Sequence, residues 1–316
     1  MNRKAFIRRG AAWVMGAVVS TPAAFASSGG REHYMDIPSS IETVEIGGIK
    51  IHGIMTGLVK VKRSHRNQSL GISAIIVDPS WTAWMPIYTW LIEHPEGLIL
   101  IDTGENAKVN DKNYFKCDQI NGFVYRTILR FKVKKNQELP AQLKKLGFST
   151  DDIRWVVLTH LHLDHVDGVQ FFPNAEFLLS SVENRQPTGN VPCLLPTWFA
   201  PRTIDYQAIS LAGFDNGFYL TQAKDIVLLP TPGHTYGHQS VLFLNNESPV
   251  LFAGDATFDQ EQLLKDKVAG ISADKKAARD TLKRIRTLGS DTPLIYLPSH
   301  DPYSATRLVQ SSSLVV

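Results

Sequence analysis

The chain has 316 residues, 43% hydrophobic and 20% charged, which suits a globular protein large enough to bury a complete core. The formal net charge of +3 includes four basic and no acidic residues in the first 26 positions, so the remainder carries 29 basic against 30 acidic residues. A body this close to neutral gives no indication of a nucleic-acid partner, and no run approaches the roughly 20 apolar residues of a membrane span.

Residues 1–26 have the three zones of an export signal. The basic stretch MNRKAFIRRG precedes the apolar stretch AAWVMGAVVS, and the small residues Ala24 and Ala26 predict cleavage after Ala26. The pair Arg8-Arg9 also fits a twin-arginine signal, so both the general secretory route and the twin-arginine route stay open. We therefore expect a periplasmic or secreted protein that has no stable membrane anchor.

The rest of the chain is expected to form one domain. Residues 27–40 are rich in serine and glycine at their start and predict a flexible lead-in, and residues 41–316 contain no Pro/Gly-rich break. Two cysteines, Cys117 and Cys193, lie far apart in sequence. They could pair in an oxidising compartment, or each could be a small buried side chain.

Beyond residue 40 the hydrophobic pattern predicts short strands with helices between them. Helices are expected at 136–147, where Gly147 ends the helical period, and at 273–289. Blocks of strands with intervening helices indicate two sheets packed face to face with helices outside, an α/β sandwich. Strands are expected at 43–55 (two strands around a Gly-Gly turn), 72–77, 87–93, 98–102, 154–158, 176–179, 225–229, 240–244, 249–253 and 293–297.

The segment WTAWMP at 81–86 is unusually apolar for a connection between strands. Trp81, Trp84 and Met85 stand where polar residues are common. They either form an apolar loop over a binding site or pack into the core.

The segment VVLTHLHLDHVDG at 156–168 is the most informative part of the sequence. His160, His162, Asp164 and His165 follow directly after a predicted strand. Imidazole nitrogen and carboxylate oxygen are ligands for zinc and similar divalent ions. Because one ion is satisfied by three histidines, four ligands spaced this closely indicate two ions side by side.

Three later residues complete such a site. His234, Asp255 and His300 each follow the end of a predicted strand, and Gly254 allows a close approach of backbone beside Asp255. Strand ends that each deliver histidine or aspartate are expected to converge on one edge of a sheet sandwich. The sequence therefore predicts a metal site at that edge.

These motifs resemble those of the metallo-β-lactamase-fold hydrolases. The resemblance rests on H-x-H-x-D-H, G-H-T-x-G-H, A-G-D and the late S-H, covers about residues 41 to 302, and includes IDTG at 101–104. It implies an αββα sandwich with a dinuclear metal site at one edge. In the G-H-T-x-G-H motif, the resemblance implies that the second histidine, His238, positions the ligand residues and does not itself bind a metal. The resemblance implies that one ion is bound by His160, His162 and His234, that the other is bound by Asp164, His165 and His300, and that Asp255 bridges both.

Such a site would carry out hydrolysis. Two adjacent divalent ions supply a bridging hydroxide near neutral pH and stabilise the developing anion. Asp164 is expected to pass a proton to the leaving oxygen. Zinc is the expected metal, although manganese, iron and cobalt also suit these ligands.

Within the superfamily, the sequence resembles the N-acyl-homoserine lactonases, the quorum-quenching enzymes. The stretches 85–104 and 231–243 carry this resemblance, which implies ring opening of an acyl lactone as the reaction. The expected partner is thus a small molecule and not a nucleic acid. The sequence does not decide whether the protein forms a homodimer. Trp81, Trp84 and Met85 are candidate contacts for the acyl chain.

One position departs from the lactonase pattern. Those enzymes often have tyrosine three residues after the bridging aspartate, where this chain has Phe258, which cannot donate a hydrogen bond. Either another donor takes over, with Tyr236 as the candidate, or the substrate differs. The alternative substrates are organophosphate triesters and aryl esters. A metal-binding or carrier protein without catalysis is a third hypothesis, which the complete ligand set disfavours.

Overall fold

The computed structural model describes residues 41–67, 71–246 and 248–316. The predicted export signal and lead-in lie outside these residues. The strands are β1 Ile41–Ile46, β2 Ile49–Val61, β3 Met85–His94, β4 Gly97–Ile101, β5 Leu129–Lys132, β6 Ile153–Val157, β7 Glu176–Ser180, β8 Arg202–Ile204, β9 Gln207–Leu211, β10 Phe214–Tyr219, β11 Ile226–Pro230, β12 Gln239–Phe243, β13 Val250–Gly254 and β14 Ile295–Pro298. The α-helices are α1 Arg63–Arg66, α2 Ile72–Val77, α3 Gln119–Ile128, α4 Leu139–Lys145, α5 Leu163–Val166, α6 Ser181–Arg185, α7 Gln260–Leu264, α8 Lys275–Asp291 and α9 Ser304–Val309.

The strands form two sheets. The eight-stranded sheet has the order β1-β2-β3-β4-β6-β7-β8, with β5 paired to β2, and the six-stranded sheet has the order β14-β13-β12-β11-β10-β9. Parallel pairing joins β4, β6, β7 and β8 in the first sheet and β13 to β14 in the second. The carboxyl ends of these parallel strands therefore reach one edge of their sheet together.

The core has three layers of apolar contacts. Between the sheets, Met55 and Trp90 belong to the same buried cluster as Leu228 and Phe252 of the opposite sheet. Helix α4 packs on the outside of the first sheet, and α8 packs on the outside of the second through residues such as Ile285. The arrangement is thus αββα, as the sequence predicted.

Two helices differ from the sequence-based prediction. The stretch 72–77, predicted as a strand, is helix α2, and Ile75 is its one buried residue. Six apolar residues suit a buried strand as well as a short helix, so the pattern alone could not distinguish them. The helix expected at 136–147 is shorter, because α4 begins at Leu139, with Pro140 in its first turn, and Gly147, at φ +87°, follows its end.

The two cysteines form a disulfide. Cys117 precedes α3 and Cys193 lies in the short 3-10 helix Pro192–Leu194, with their Cα atoms 6.1 Å apart. The bond therefore joins α3 to the loop that follows α6. Across the described part of the chain, no helix is long and apolar enough to cross a membrane.

Candidate metal centre

The candidate ligands lie where strands end. His160 and His162 follow β6, His234 follows β11, and Asp255 is the first residue after β13. His300 follows β14 by two residues. Strands β13 and β14 are parallel partners in the six-stranded sheet, and β6 belongs to the eight-stranded sheet that faces it. The ligands therefore converge from both sheets on one edge of the sandwich.

Three imidazole nitrogens form the first group of candidate ligands. Nε2 of His160 lies 3.0 Å from Nδ1 of His162, which lies 2.8 Å from Nε2 of His234. All of these nitrogens lie within 4.8 Å of one another. They could hold one ion, which is the ligand set that the family resemblance implied for the first metal.

Asp164, His165 and His300 form the second group. Nε2 of His300 is 3.3 Å from a carboxylate oxygen of Asp164. Asp255 stands between the groups: its Oδ1 is 3.3 Å from Nε2 of both His165 and His300, and its Oδ2 is 3.4 Å from Nε2 of His234. Its carboxylate is therefore placed to reach two ions.

Three ligand histidines form a hydrogen bond through Nδ1, the ring nitrogen that faces away from the site. These bonds turn the other nitrogen, Nε2, toward the site. Nδ1 of His165 donates to Oδ2 of Asp102 (2.8 Å), and Nδ1 of His300 donates to the carbonyl of Pro86 (2.8 Å). Thr159 donates its hydroxyl to Asp102 and therefore accepts from Nδ1 of His160. In each ring the proton occupies Nδ1, so the lone pair of Nε2 is left for a metal.

Asp102 anchors this arrangement from the IDTG turn. It accepts from the backbone N–H of Thr159 (2.7 Å) as well as from the Thr159 hydroxyl and His165. Its φ of +59° is a left-handed conformation that few residues other than glycine adopt. A strained backbone is retained here because three hydrogen bonds from the ligand loop hold the carboxylate in place.

The residues fit a pair of divalent cations. Nδ1 of His162 faces Nε2 of His160 at 3.0 Å and Nε2 of His234 at 2.8 Å, and one N–H at that position could satisfy only one of these two contacts. A cation among the three nitrogens would accept a lone pair from each. In the second group, Nε2 of His165 and Oδ1 of Asp255 are buried and have no hydrogen-bond partner among the described residues. A bound cation would satisfy both atoms.

The pKa shifts of the ligand histidines differ between the two groups. Burial lowers the pKa of His160 and His234 well below the ordinary value, and neighbouring histidines add to this effect, so both rings are neutral, which is the form that binds metals. Burial also opposes a positive charge on His165 and His300, but Asp255 raises the pKa of both rings above the ordinary value. The charge of these two rings holds the pKa of Asp255 well below its usual range, against the effect of burial. A bound cation would replace that charge and leave the two rings neutral as ligands.

Two further residues shape the loop that carries Asp255. Gly254 has φ +56°, and a Cβ there would lie 2.7 Å from Nε2 of His238. Nε2 of His238 accepts the backbone N–H of Asp255 at 3.0 Å, and its Nδ1 donates to Thr231. Both nitrogens of His238 thus form hydrogen bonds that position the loops, the role that the family resemblance implied.

Glu183 is a functional residue that sequence reasoning missed. Its buried carboxylate accepts from the N–H of Leu161 (3.1 Å), the hydroxyl of Thr235 (2.6 Å) and the N–H of Gly237 (3.1 Å). It therefore ties the loop of His160 and His162 to the loop of His234. No motif marks a single carboxylate on a five-residue helix, so only the fold shows its role.

The two ligand groups form the floor of a cleft of about 120 Å³. One wall comes from β2 and another from α3, and Tyr125 of α3 donates its hydroxyl to the carbonyl of Gly189 (2.6 Å). The cleft can take an apolar group beside the polar floor. Its apolar lining includes Val59, Val61, Ile72, Val124, Ile128, Leu129, Phe258 and Ile271.

Some of the predicted substrate contacts lie in or next to the cleft, and others lie outside it. Phe258 lines the cleft, with its ring centroid 5.8 Å from that of His300. Met85 is buried in the same apolar cluster as Phe258. Trp81 and Trp84 do not line the cleft and instead pack under the cationic ends of lysine and arginine side chains, including Lys62 at 4.2 Å and Lys132 at 4.3 Å. The two tryptophans thus lie outside the cleft lining, and their contact with an acyl chain stays a prediction.

Tyr236 does not take over the role suggested for it. Its side chain is 43% exposed and is not among the residues that line the cleft. The turn at Gly237 packs against the backbone of Glu183, which leaves Tyr236 on the outside. The missing donor must be sought elsewhere.

Comparison with known proteins agrees with this geometry. Residues 82–300 match the model of the Metallo-beta-lactamase superfamily. An N-acyl homoserine lactonase of Bacillus thuringiensis is 30% identical over 260 residues, which are 80% of this chain and 93% of that protein. The N-acyl homoserine lactonase AttM of Rhizobium johnstonii is 27% identical over 268 residues, which are 80% of this chain and 94% of the relative.

Solved structures show the same fold. An N-acyl homoserine lactone hydrolase with N-hexanoyl-L-homoserine bound at its catalytic metal centre aligns with a TM-score of 0.66 and 22% identity, over 84% of this chain and 96% of that one. The dizinc quorum-quenching lactonase AidC aligns with a TM-score of 0.59 and 18% identity, over 84% of this chain and 92% of that one. By its matched residues, its two-sheet architecture and its histidine-aspartate clusters, the chain belongs to the metallo-beta-lactamase superfamily.

Proposed function

We propose that this protein is a metal-dependent hydrolase that opens the lactone ring of N-acyl homoserine lactones, a quorum-quenching activity. The observation that carries the proposal is a complete pair of ligand groups, joined by Asp255, on the floor of a cleft with an apolar wall. The relatives named as N-acyl homoserine lactonases support the choice of substrate. A small polar ring with an apolar tail suits a cleft of this kind.

The side chains of the two groups would hold two divalent ions. When bound, such a pair supplies Lewis acidity and a nucleophile near neutral pH. The many imidazole ligands, with two carboxylates, favour zinc among the candidate metals. Hydrogen bonds from His160, His165 and His300 to groups behind them keep the ligand rings in fixed orientations.

Asp164 would complete the reaction by moving a proton. Its side chain is 11% exposed on the cleft floor, beside His300. From there its carboxyl group can pass a proton to the ring oxygen as the ester bond breaks, which yields the open acyl-homoserine. Val59, Val61 and Phe258 would exclude water from the side of the cleft that takes the acyl chain.

A substrate panel on zinc-loaded enzyme tests the proposal. Short-chain and long-chain N-acyl homoserine lactones are compared with an aryl ester and an aryl phosphotriester, and products are identified by mass. We expect the lactone ring to open, which gives a product heavier than the substrate by one water molecule. We also expect kcat/KM to be higher for a lactone than for the aryl ester or the phosphotriester. Fast phosphotriester turnover without lactone opening would overturn the choice of substrate, and inertness on every compound would favour a metal carrier.

A further inference from the structure

One histidine in the cleft is not accounted for by either ligand group. His65 lies on the one-turn helix α1, held by hydrogen bonds of its backbone to Lys62 and Ile271 (3.0 Å each). Its side chain lines the cleft, and its ring meets that of Phe258 edge-on with centroids 5.9 Å apart. The fold therefore places an imidazole beside the position where the lactonases often have tyrosine.

The ring of His65 has unused hydrogen-bonding capacity. Its Nδ1 is buried and has no hydrogen-bond partner among the described residues. The other buried histidines away from the ligand groups are bonded: His52 to Thr43 and Glu93, and His94 to Asp225. A buried polar ring without a partner is costly in a stable fold, which points to a partner that arrives with the substrate.

The ring is neutral. Burial, with His162 as the next contributor, lowers the pKa of His65 to about 3. Two bound cations would act in the same direction. A neutral imidazole carries one N–H donor and one acceptor nitrogen. Because Nδ1 is enclosed by protein, the N–H that can face the cleft is that of Nε2.

Other donors near Phe258 are few. The hydroxyl of Tyr125 donates to Gly189, and one of the two N–H groups of the Asn121 amide donates to Asp118 (2.7 Å). Phe258 has no donor, and Tyr236 lies outside the cleft. Of the side chains that line the cleft, His65 is the one shown in ring contact with Phe258 that also carries an N–H donor without a partner among the described residues.

We propose that His65 is a catalytic residue that donates a hydrogen bond from Nε2–H to the lactone carbonyl oxygen as negative charge develops on it. The inference rests on the proposed lactonase activity. It assigns to His65, which contacts Phe258, the hydrogen bond to the substrate carbonyl that a tyrosine at position 258 would otherwise donate. The donor is fixed in an apolar surrounding, where a hydrogen bond to a developing charge is strong.

Four variants test this role on zinc-loaded protein. His65→Phe is expected to lower kcat on the lactone about 10²-fold with little change in KM, because the bond strengthens in the transition state. His65→Gln retains an N–H donor and should recover part of the loss. His65→Phe combined with Phe258→Tyr should also recover activity. His52→Gln removes a buried imidazole elsewhere and should leave kcat unchanged.

Nuclear magnetic resonance supplies a readout that does not depend on turnover. The ¹⁵N signals of the His65 ring are followed in zinc-loaded protein during titration with the ring-opened product, and a shift of the Nε2 signal is expected. Normal kcat in His65→Phe together with an unchanged Nε2 signal would overturn this inference alone. Wild-type protein that opens no lactone would instead refute the proposed function.

Discussion

Replacing Asp255 with asparagine should lower kcat/KM at least about 10³-fold, because activation by paired ions is worth several kcal/mol. The carboxylate lies within 3.4 Å of His165, His234 and His300 and is the group that reaches both ligand clusters. The carboxamide lacks the charge and presents an N–H to one of the ions. Binding of at least one ion should therefore weaken.

Metal content and kinetics are measured together for this variant. Elemental analysis after dialysis gives ions per chain, and lactone hydrolysis gives kcat/KM. Asp266→Asn is the matched control, since Asp266 pairs with Arg286 on the surface and is absent from both ligand groups. Asp255→Asn protein that keeps two ions and wild-type kcat/KM would show that Asp255 does not bridge.

Removing the disulfide should lower the free energy of unfolding by about 4 kcal/mol, from the loop-closure entropy of the unfolded chain. The bond closes a loop across a sequence separation of 76 residues. It also fastens the loop that contains Thr188 and Gly189, which accept hydrogen bonds from His162 and Tyr125. A looser loop would leave His162 less well oriented, so we also expect weaker metal binding.

Urea unfolding of Cys117→Ser/Cys193→Ser protein measures the first effect. Wild-type protein unfolded with and without a thiol reductant is the control, and the reduced wild type should match the double variant. Equal midpoints for oxidised and reduced protein would contradict the stabilising role. The oxidising compartment that the export signal predicts would maintain the bond.

The metal centre could be predicted because its ligands occupy short motifs at strand ends. The run from His160 to His165 places four candidate ligands within six residues, and strand ends at one sheet edge are close in space whatever their separation in sequence. The three-dimensional partition of His160, His162 and His234 from Asp164, His165 and His300 follows the grouping that the family resemblance implied.

The residues that surround the centre could not be predicted in the same way. His65 stands alone on a four-residue helix, and Glu183 is one carboxylate among many. Glu183 acts through neighbours that are distant in sequence, since it accepts hydrogen bonds from Leu161 and Gly237. His65 reaches the cleft beside Phe258, a residue that comes much later in the chain. The contacts of Trp81 and Trp84 could not be predicted either, because their cationic partners come from other strands, Lys60 of β2 and Lys132 of β5.

The most direct test of a dinuclear lactonase is the dependence of activity on metal equivalents. Metal-free protein is titrated with zinc, and opening of a long-chain N-acyl homoserine lactone is measured at each addition. We predict that activity rises until two equivalents are bound and then stays constant. Full activity at one equivalent, or no lactone opening at any zinc content, would contradict the account.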